Sequence, residues 1–412
     1  MKLKLVFLLI LIFIMLIVAT YAFWWREPAN IITLQARTFA QLPGWHDAKT
    51  LSKSLLAFQT SCKVLLKQDP EQDVGSECLS FKAKDWRAVC TAALALNTDN
   101  IEANNNAMQF FQQWFVPLEF NSINIKSGLF TGYYSPILHG NLSKTAKYNV
   151  PIHSLPDDLL VVNLNKFSPE WKNKKIIGRL AGKALIPYYT RAEINNGAIA
   201  HQAAVLVWVD NDIDRSFLEI QGSGIVVLPN NTRINLGYAG ENGAPYTSLA
   251  KLLIDKGVMT KENASMQAIK QYLTAYPEEA ITISNQNKSF VFFQTLTDNV
   301  ALGAQGVALT PGYSLAVDRK WIPLGAPLWL NTTVPNPNYK EQKPLQRLMV
   351  AQDTGGAIRG IIRGDLYWGS GKKATYIAGH MKNNGFYWVL LPTNIFTKLN
   401  KDGSLSIPFR SQ

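Results

Sequence analysis

Apolar positions near the start of the chain fall on a helical period. Leu51, Leu55, Phe58, Cys62 and Leu65 are spaced by four and three residues, which predicts an amphipathic helix within 47–68. Asp85 stands where it would cap a second helix carrying Trp86, Val89, Ala93 and Leu96. Asp99 would cap a third, carrying Ala103, Ala107, Phe110 and Trp114 and stopped by Pro117. Beyond that point the texture changes to short apolar runs separated by Gly, Pro and Asn. Val205–Val209 and Phe217–Ile220 flank Asp210-Asn211-Asp212 as a hairpin. Further strands are expected around Phe290–Phe293, Ser314–Val317, Pro327–Leu330, Leu348–Ala351 and Phe386–Leu391. Only 245–257 and 264–275 interrupt them with a helical pattern, and the Asn- and Pro-rich stretch 331–344 reads as a surface loop. A helical head followed by many closely spaced strands predicts a mainly β fold, a barrel or sandwich with peripheral helices.

The first residues set the compartment. Lys2 and Lys4 precede an apolar run from Leu5 to Trp25, with no acidic residue before Glu27. Such a run can span a bilayer, and the basic start would leave the rest of the chain outside that membrane. Thr20-Tyr21-Ala22 offers a signal-cleavage site as the rival to an uncleaved anchor. No cysteine follows the run closely, so a lipid-modified cysteine is not available. Export makes disulfides permissible. Cys62 and Cys90 fall on the apolar faces of two predicted helices, either as a bridge or as buried thiols, with Cys78 in the link between them.

The 412 residues carry 47% hydrophobic and 17% charged side chains, which excludes wholesale disorder and suggests two or three domains. Lys and Arg outnumber Asp and Glu by 41 to 29, a net +12. Nucleic acid is the reflex partner for such a balance, but export removes it and no basic cluster is interleaved with aromatics. An anionic envelope polymer or membrane surface fits instead.

Several motif matches fail on spacing. Asp210, Asp212 and Asp214 imitate a calcium loop, but its glycine position is Arg215 and its closing glutamate position is Gln221. A hairpin turn is the better reading. Gly369-Ser370-Gly371-Lys372 lacks the upstream glycine of a phosphate loop, where Leu366 stands, and Gln221-Gly222-Ser223-Gly224 is not a nucleophile elbow. His46, His139, His153, His201 and His380 form no metal-ligand pair, so neither a metal nor a cofactor is expected. What remains is Asp318, Asp353 and Asp365, each at the end of an apolar segment or beside glycines. Carboxylates converging in a cleft are the groups that cleave glycosidic bonds by acid catalysis.

At these residues a family resemblance emerges. Thr310-Pro311-Gly312-Tyr313, Ala316-Val317-Asp318, Ile322-Pro323-Leu324-Gly325, Ala351-Gln352-Asp353-Thr354-Gly355-Gly356 and Gly364-Asp365-Leu366-Tyr367-Trp368-Gly369 together resemble the three-aspartate (3D) domain. Upstream, Gly128-Leu129-Phe130-Thr131-Gly132-Tyr133-Tyr134-Ser135-Pro136, Arg191-Ala192-Glu193-Ile194, Ile220-Gln221-Gly222-Ser223-Gly224 and Ser289-Phe290-Val291-Phe292-Phe293 resemble the membrane-bound lytic murein transglycosylase A family. The blocks run in order from about residue 128 to 392.

The resemblance implies a double-psi β-barrel built from 26–137 plus 276–412, including the N-terminal helices. A second β-domain would be inserted at 138–275, a groove would lie between them, and residues 1–25 would be the anchor or signal segment. It also implies cleavage of the β-1,4 bond between N-acetylmuramic acid and N-acetylglucosamine without water, leaving a 1,6-anhydromuramoyl end. The catalytic acid lands on Asp365, with Asp353 and Asp318 as the companion aspartates. Thr131, Gly132, Tyr133, Gln221, Ser223 and Thr354 would bind substrate, with Trp368 and Tyr238 as aromatic candidates. A raised Asp365 pKa would be required, which partial burial and Asp353 would supply. Expected partners are peptidoglycan glycan strands, the membrane through the N-terminal segment, and cell-wall synthesis or division proteins. The competing readings are a hydrolytic muramidase, with Asp353 activating water, and a glycan-binding envelope protein without turnover. Many members carry a lipidated cysteine at the mature N-terminus; this chain has none there.

Overall fold

The helical head is built around Phe58. In the computed structural model, which describes residues 30–121, 127–171, 174–297, 300–337, 341–403 and 405–409, helices Leu51–Leu65, Arg87–Leu94 and Ala103–Trp114 follow the apolar spacing. The Phe58 ring lies 5.6–6.3 Å from those of Trp86, Phe110, Phe111 and Phe115. Cys62 and Cys90 meet in this buried seam and are disulfide-bonded, with Cα atoms 5.0 Å apart; Cys78 is free.

Two expected caps act differently. Asp85 sits inside the short 3₁₀ turn Ala83–Trp86, and its carboxylate accepts from the Lys82 backbone N–H. Asp99 lies ahead of the third helix, whose cap position is Glu102. That helix ends before Pro117, because Phe115 turns to an extended conformation and buries its ring as a strand begins.

In chain order, the strands before the middle of the chain are β1 (Asn30–Ala36), β2 (Phe115–Asn121) and β3 (Gly128–Ser135). The central region holds β4 (Ile137–Asn141), β5 (Val150–His153), β6 (Leu160–Asn163), β7 (Lys175–Ala181) and β8 (Ala184–Pro187). It continues with β9 (Val205–Val209), β10 (Ser223–Val227), β11 (Arg233–Glu241) and β12 (Val291–Leu296). The C-terminal part adds β13 (Ser314–Val317), β14 (Pro327–Val334), β15 (Lys343–Asp353), β16 (Arg363–Ser370), β17 (Lys382–Pro392) and β18 (Ser406–Phe409).

Six of these strands close on themselves in the order β14-β15-β13-β16-β3-β17, because β17 pairs back onto β14. A closed barrel removes its own sheet edges. Strand β17 also carries β2, β1 and β18 beyond the ring. Phe130, Leu315, Leu328, Val350, Leu366 and Tyr387 belong to the main core, which is continuous with the helical head. A second sheet, β12-β11-β10-β4-β9-β5, has a core of its own around Leu138, Val207, Leu218 and Val226. It reaches Leu296, past the expected boundary at 275. A small third sheet is β6-β7-β8. The fold is therefore mainly β, a closed six-stranded barrel with helices.

The hairpin expected across Asp210–Asp212 is absent: Asp212–Gln221 is a helix. Asn211 caps it by accepting from Asp214 N–H at 2.7 Å, and Asp212 and Asp214 place negative charge at its N-terminal end. The apolar pair Phe217 and Leu218 marks its buried face. Helices Pro277–Gln286, Lys372–His380 and Thr393–Lys401 also go beyond the two expected in this half. Each is short: Lys372–His380 and Thr393–Lys401 are held against barrel strands, and Pro277–Gln286 is held against neighbouring helices of the inserted part. The run 5–25 lies outside the described residues, among which no helix is long and apolar enough to cross a membrane.

The disulfide joins two helices 28 residues apart in sequence. Replacing Cys62 and Cys90 together by Ala is expected to lower the unfolding free energy by about 3 kcal/mol. Denaturant titration measures it, and an unchanged midpoint would refute a stabilising bridge.

Candidate active site

Strands β3 and β16 lie parallel, with Thr131 opposite Asp365 and Tyr133 opposite Tyr367. Successive side chains on a strand point to opposite faces. Phe130 and Leu366 therefore enter the main core, while Thr131, Tyr133, Asp365 and Tyr367 share the other face. Gly364 makes the close approach of three strands feasible: a Cβ there would come within 2.9 Å of both Leu315 and Phe130. The residue before Asp365 must therefore be small.

Asp365 is half-buried, and its Oδ1 accepts from the Thr131 hydroxyl at 2.7 Å. The Arg363 guanidinium donates to the same hydroxyl oxygen at 2.8 Å. With that donor on Oγ1, the Thr131 proton is directed at Asp365, leaving Oδ2 of the carboxyl without a donor among the described residues. Burial pushes the Asp365 pKa up to about 6; Arg363 and the Thr131 hydrogen bond oppose the rise, and the nearby Asp353 charge adds to it.

Asp353 ends β15 and is more fully engaged. Its Oδ1 accepts from the backbone N–H of Ala304 (2.9 Å) and of Thr354 (2.8 Å), and its Oδ2 from the Tyr133 hydroxyl (2.8 Å). Burial raises its pKa against these three hydrogen bonds. The same burial and the Asp353 charge hold the Tyr133 phenol well above its ordinary range. Asp318 is buried and accepts from Lys320 N–H (3.1 Å) and Gly360 N–H (2.8 Å), so it fastens two loops to the end of β13. The Thr354 hydroxyl donates to Val317 O at 2.9 Å, tying the loop after Asp353 to the same strand end.

A cleft of about 170 Å³ lies between the barrel and the second sheet, with Ser135, Tyr367, Pro311, Ser223 and Asn235 among its walls. Ser135 bridges them, its hydroxyl 2.9 Å from that of Tyr367 and 3.0 Å from that of Ser223. Tyr367 places this cleft beside Asp365, two residues away on the same face of β16. Gln221 is buried and ties the two lobes together, its Oε1 accepting from Tyr134 N–H at 2.9 Å.

Gly132 and Trp368 meet on the face away from Asp365. A Cβ on Gly132 would fall 2.8 Å from the Trp368 indole and 3.0 Å from Ala378 in the Lys372–His380 helix. Both residues therefore pack the barrel beneath that helix. Tyr238 is 45% exposed on β11, where the strand bulges. Arg191, in an upstream block, makes a buried bidentate pair with Glu219 and donates to the carbonyls of Asn287 and Ser289. Arg363, Tyr367 and Ser135 are the site residues that motif reading left without a role. Counting by twos from Asp365 and Thr131 along their strands would have found them. Among the described residues no group of three His, Cys, Asp or Glu is placed to hold a metal ion.

The closed barrel with its aspartates and the sheet packed against it define a 3D-domain protein carrying an insert. The family description "MltA specific insert domain" matches residues 129–294, and "3D domain" matches 313–391. A membrane-bound lytic murein transglycosylase A from Vibrio cholerae is 33% identical over 265 residues, 64% of this chain and 65% of that protein, just under two thirds of its length. The crystal structure of MltA from Neisseria gonorrhoeae in its monoclinic form shares 31% identity and a TM-score of 0.72, over 89% of this chain and 96% of that one. Escherichia coli MltA with bound chitohexaose shares 25% identity and a TM-score of 0.61, over 89% of this chain and 95% of that one. The chain belongs to the membrane-bound lytic murein transglycosylase A family.

Because Arg363 favours the ionised form of Asp365, Arg363→Gln is expected to move the Asp365 pKa upward from about 6. A pH titration of labelled aspartate carboxyl carbons by NMR reads this directly; a downward shift would contradict the electrostatic account.

Proposed function

We propose that this chain is a peptidoglycan lytic transglycosylase, with Asp365 as the single acid and base. The observation that carries the reading is the half-buried Asp365 carboxyl, one oxygen held by Thr131 and its pKa raised to about 6 beside the cleft. Both protonation states are then accessible near neutral pH, as a group that first gives and then takes a proton requires. Protonated Asp365 donates to the glycosidic oxygen as its bond to C1 of N-acetylmuramic acid breaks, releasing the 4-hydroxyl of N-acetylglucosamine. The carboxylate then takes the proton of the C6 hydroxyl, whose oxygen bonds to C1. No water is consumed, and Asp365 ends protonated as it began. An internal nucleophile has a high effective concentration, so the protein need supply none.

The surroundings favour this over hydrolysis. A carboxylate offers about four acceptor positions, and Asp353 has given three to Ala304, Thr354 and Tyr133. It is poorly placed to activate a water and well placed to hold Tyr133 and the β15 end against the site. In this reading the barrel is the double-psi type and comprises 26–137 with the chain that follows β12. The inserted unit starts at 138, and the cleft between them is the glycan groove. The chitohexaose bound to the E. coli relative, a chain of β-1,4-linked amino sugars, supports a glycan there. Thr131 and Tyr133 act as positioning residues, and Ser223 and Tyr367 offer hydroxyls to the sugars. Residues 5–25 keep the enzyme at the membrane with its catalytic part in the periplasm, near the cell-wall synthesis or division proteins it would serve.

Asp365→Asn is expected to lower solubilisation of purified peptidoglycan by about a thousandfold, in line with loss of general acid–base catalysis. Mass spectrometry should find the wild-type muropeptides one water lighter than hydrolysis products; hydrated ends would point to a muramidase. Because the acid form starts the reaction, kcat/KM should fall as pH rises through about 6, by about tenfold per unit. A rate that climbs across that range would contradict the assignment.

A further inference from the structure

The small sheet β6-β7-β8 presents one face that is largely exposed among the described residues. Its register sets Val162 opposite Ile176, Leu160 and Pro187 opposite Gly178, and Leu185 opposite Leu180. Directly opposed residues share a face, so this face is aliphatic throughout. Leu160 is 36% exposed, Ile176 46%, Leu180 61% and Leu185 38%. The reverse face rests on the body of the protein at its middle, where Ile177 lies against Gly243 and the Arg179 guanidinium stacks 4.1 Å from the Tyr189 ring centre, while Val161 at its edge is 53% exposed. At one end of the sheet, in the link from β6 to β7, Phe167 is 71% and Trp171 43% exposed.

The charge around this face is predominantly positive. Residues 160–187 contain six Lys or Arg and a single acidic residue, Glu170. Lys166, Lys174, Lys175 and Lys183 are all exposed, and Lys175 lies 3.5 Å from Glu241 of β11. A contiguous exposed apolar patch marks an interaction surface. Protein interfaces are depleted in Lys, whereas a flat aliphatic face flanked by Lys, with Trp and Phe at its margin, has the composition of a surface that lies in a bilayer interface.

We propose that the exposed β6-β7-β8 face docks on an anionic lipid surface, a membrane contact separate from the N-terminal apolar run. The aliphatic side chains enter the boundary between headgroups and acyl chains, and the lysines meet the lipid phosphates. The orientation of the catalytic lobe at the membrane is then set by its own surface, and a long tether alone would leave it free.

Hydrogen–deuterium exchange of the full chain tests this, with vesicles of phosphatidylcholine alone and of phosphatidylcholine mixed with phosphatidylglycerol. The N-terminal run engages both, so their difference isolates the sheet. Amides across 160–187 are expected to exchange at least about fivefold more slowly on the anionic vesicles. Ile176→Glu with Leu180→Glu should abolish the difference, while exchange in the barrel and solubilisation of peptidoglycan in detergent stay unchanged. Lys174→Gln with Lys183→Gln should weaken it without touching the apolar face. Equal exchange on the two vesicles would overturn the proposal. So would slowing that follows protein concentration without lipid, which would assign the face to a second copy of the chain.

Discussion

The site depends on one pairing, the parallel register of β3 and β16 that sets Thr131 against Asp365. Parallel strands cannot be joined by a tight turn and need a long crossover. Here 234 residues separate the two partners, and that stretch contains the whole second sheet. The connection that makes the pairing possible therefore also supplies the opposite wall of the cleft. The barrel is held in turn by the head: the buried Gln352 amide, next to Asp353, lies 2.8–2.9 Å from Ala57 O, Thr60 Oγ1 and Ser61 Oγ of the first helix. A helix distant from the cleft thereby fixes the strand that presents the second carboxylate.

Electrostatically, the two carboxylates are treated differently although burial disfavours charge on both. Asp353 receives three hydrogen bonds, two of them from the backbone. Asp365 receives one, from a hydroxyl whose orientation Arg363 dictates. A group fixed by many donors has little freedom to change its protonation state, and a group held at a single oxygen retains it. The proposed chemistry falls on the less satisfied carboxylate. Asp318 accepts one loop N–H at each oxygen and so ties loops to the end of β13.

Much of this was legible in the chain. Apolar periods set the three N-terminal helices, because burial against one another decides their faces, and the core strands 314–317, 348–351 and 386–391 stood out as short apolar runs. The ordered motifs singled out Asp365, inside β16, and Asp353, at the end of β15. The misreading of 212–221 arose because Phe217–Ile220 looks like a strand when the Asn211 cap and the Asp212, Arg215 and Glu219 spacing are ignored. Gly132 and Trp368 were grouped with the site because they neighbour Thr131 and Tyr367 in sequence, yet strand alternation sends them to the other side. Arg363 had no visible role because its partner, Thr131, is distant along the chain. Only the closed barrel makes them neighbours.

The junction at Pro136 has a mechanical consequence. Strand β3 ends at Ser135 and β4 begins at Ile137, so one residue separates the barrel from the second sheet. Pro136 O also accepts from Ile225 N–H at 2.8 Å, and just ahead of that bond Gln221 and Ser223 clasp Tyr134 and Ser135 of β3. Such a joint has no slack: swinging the walls apart would break the clasp and strain a proline at the pivot. The spacing of the two walls is thus set at the joint itself, by one proline and the three hydrogen bonds around it.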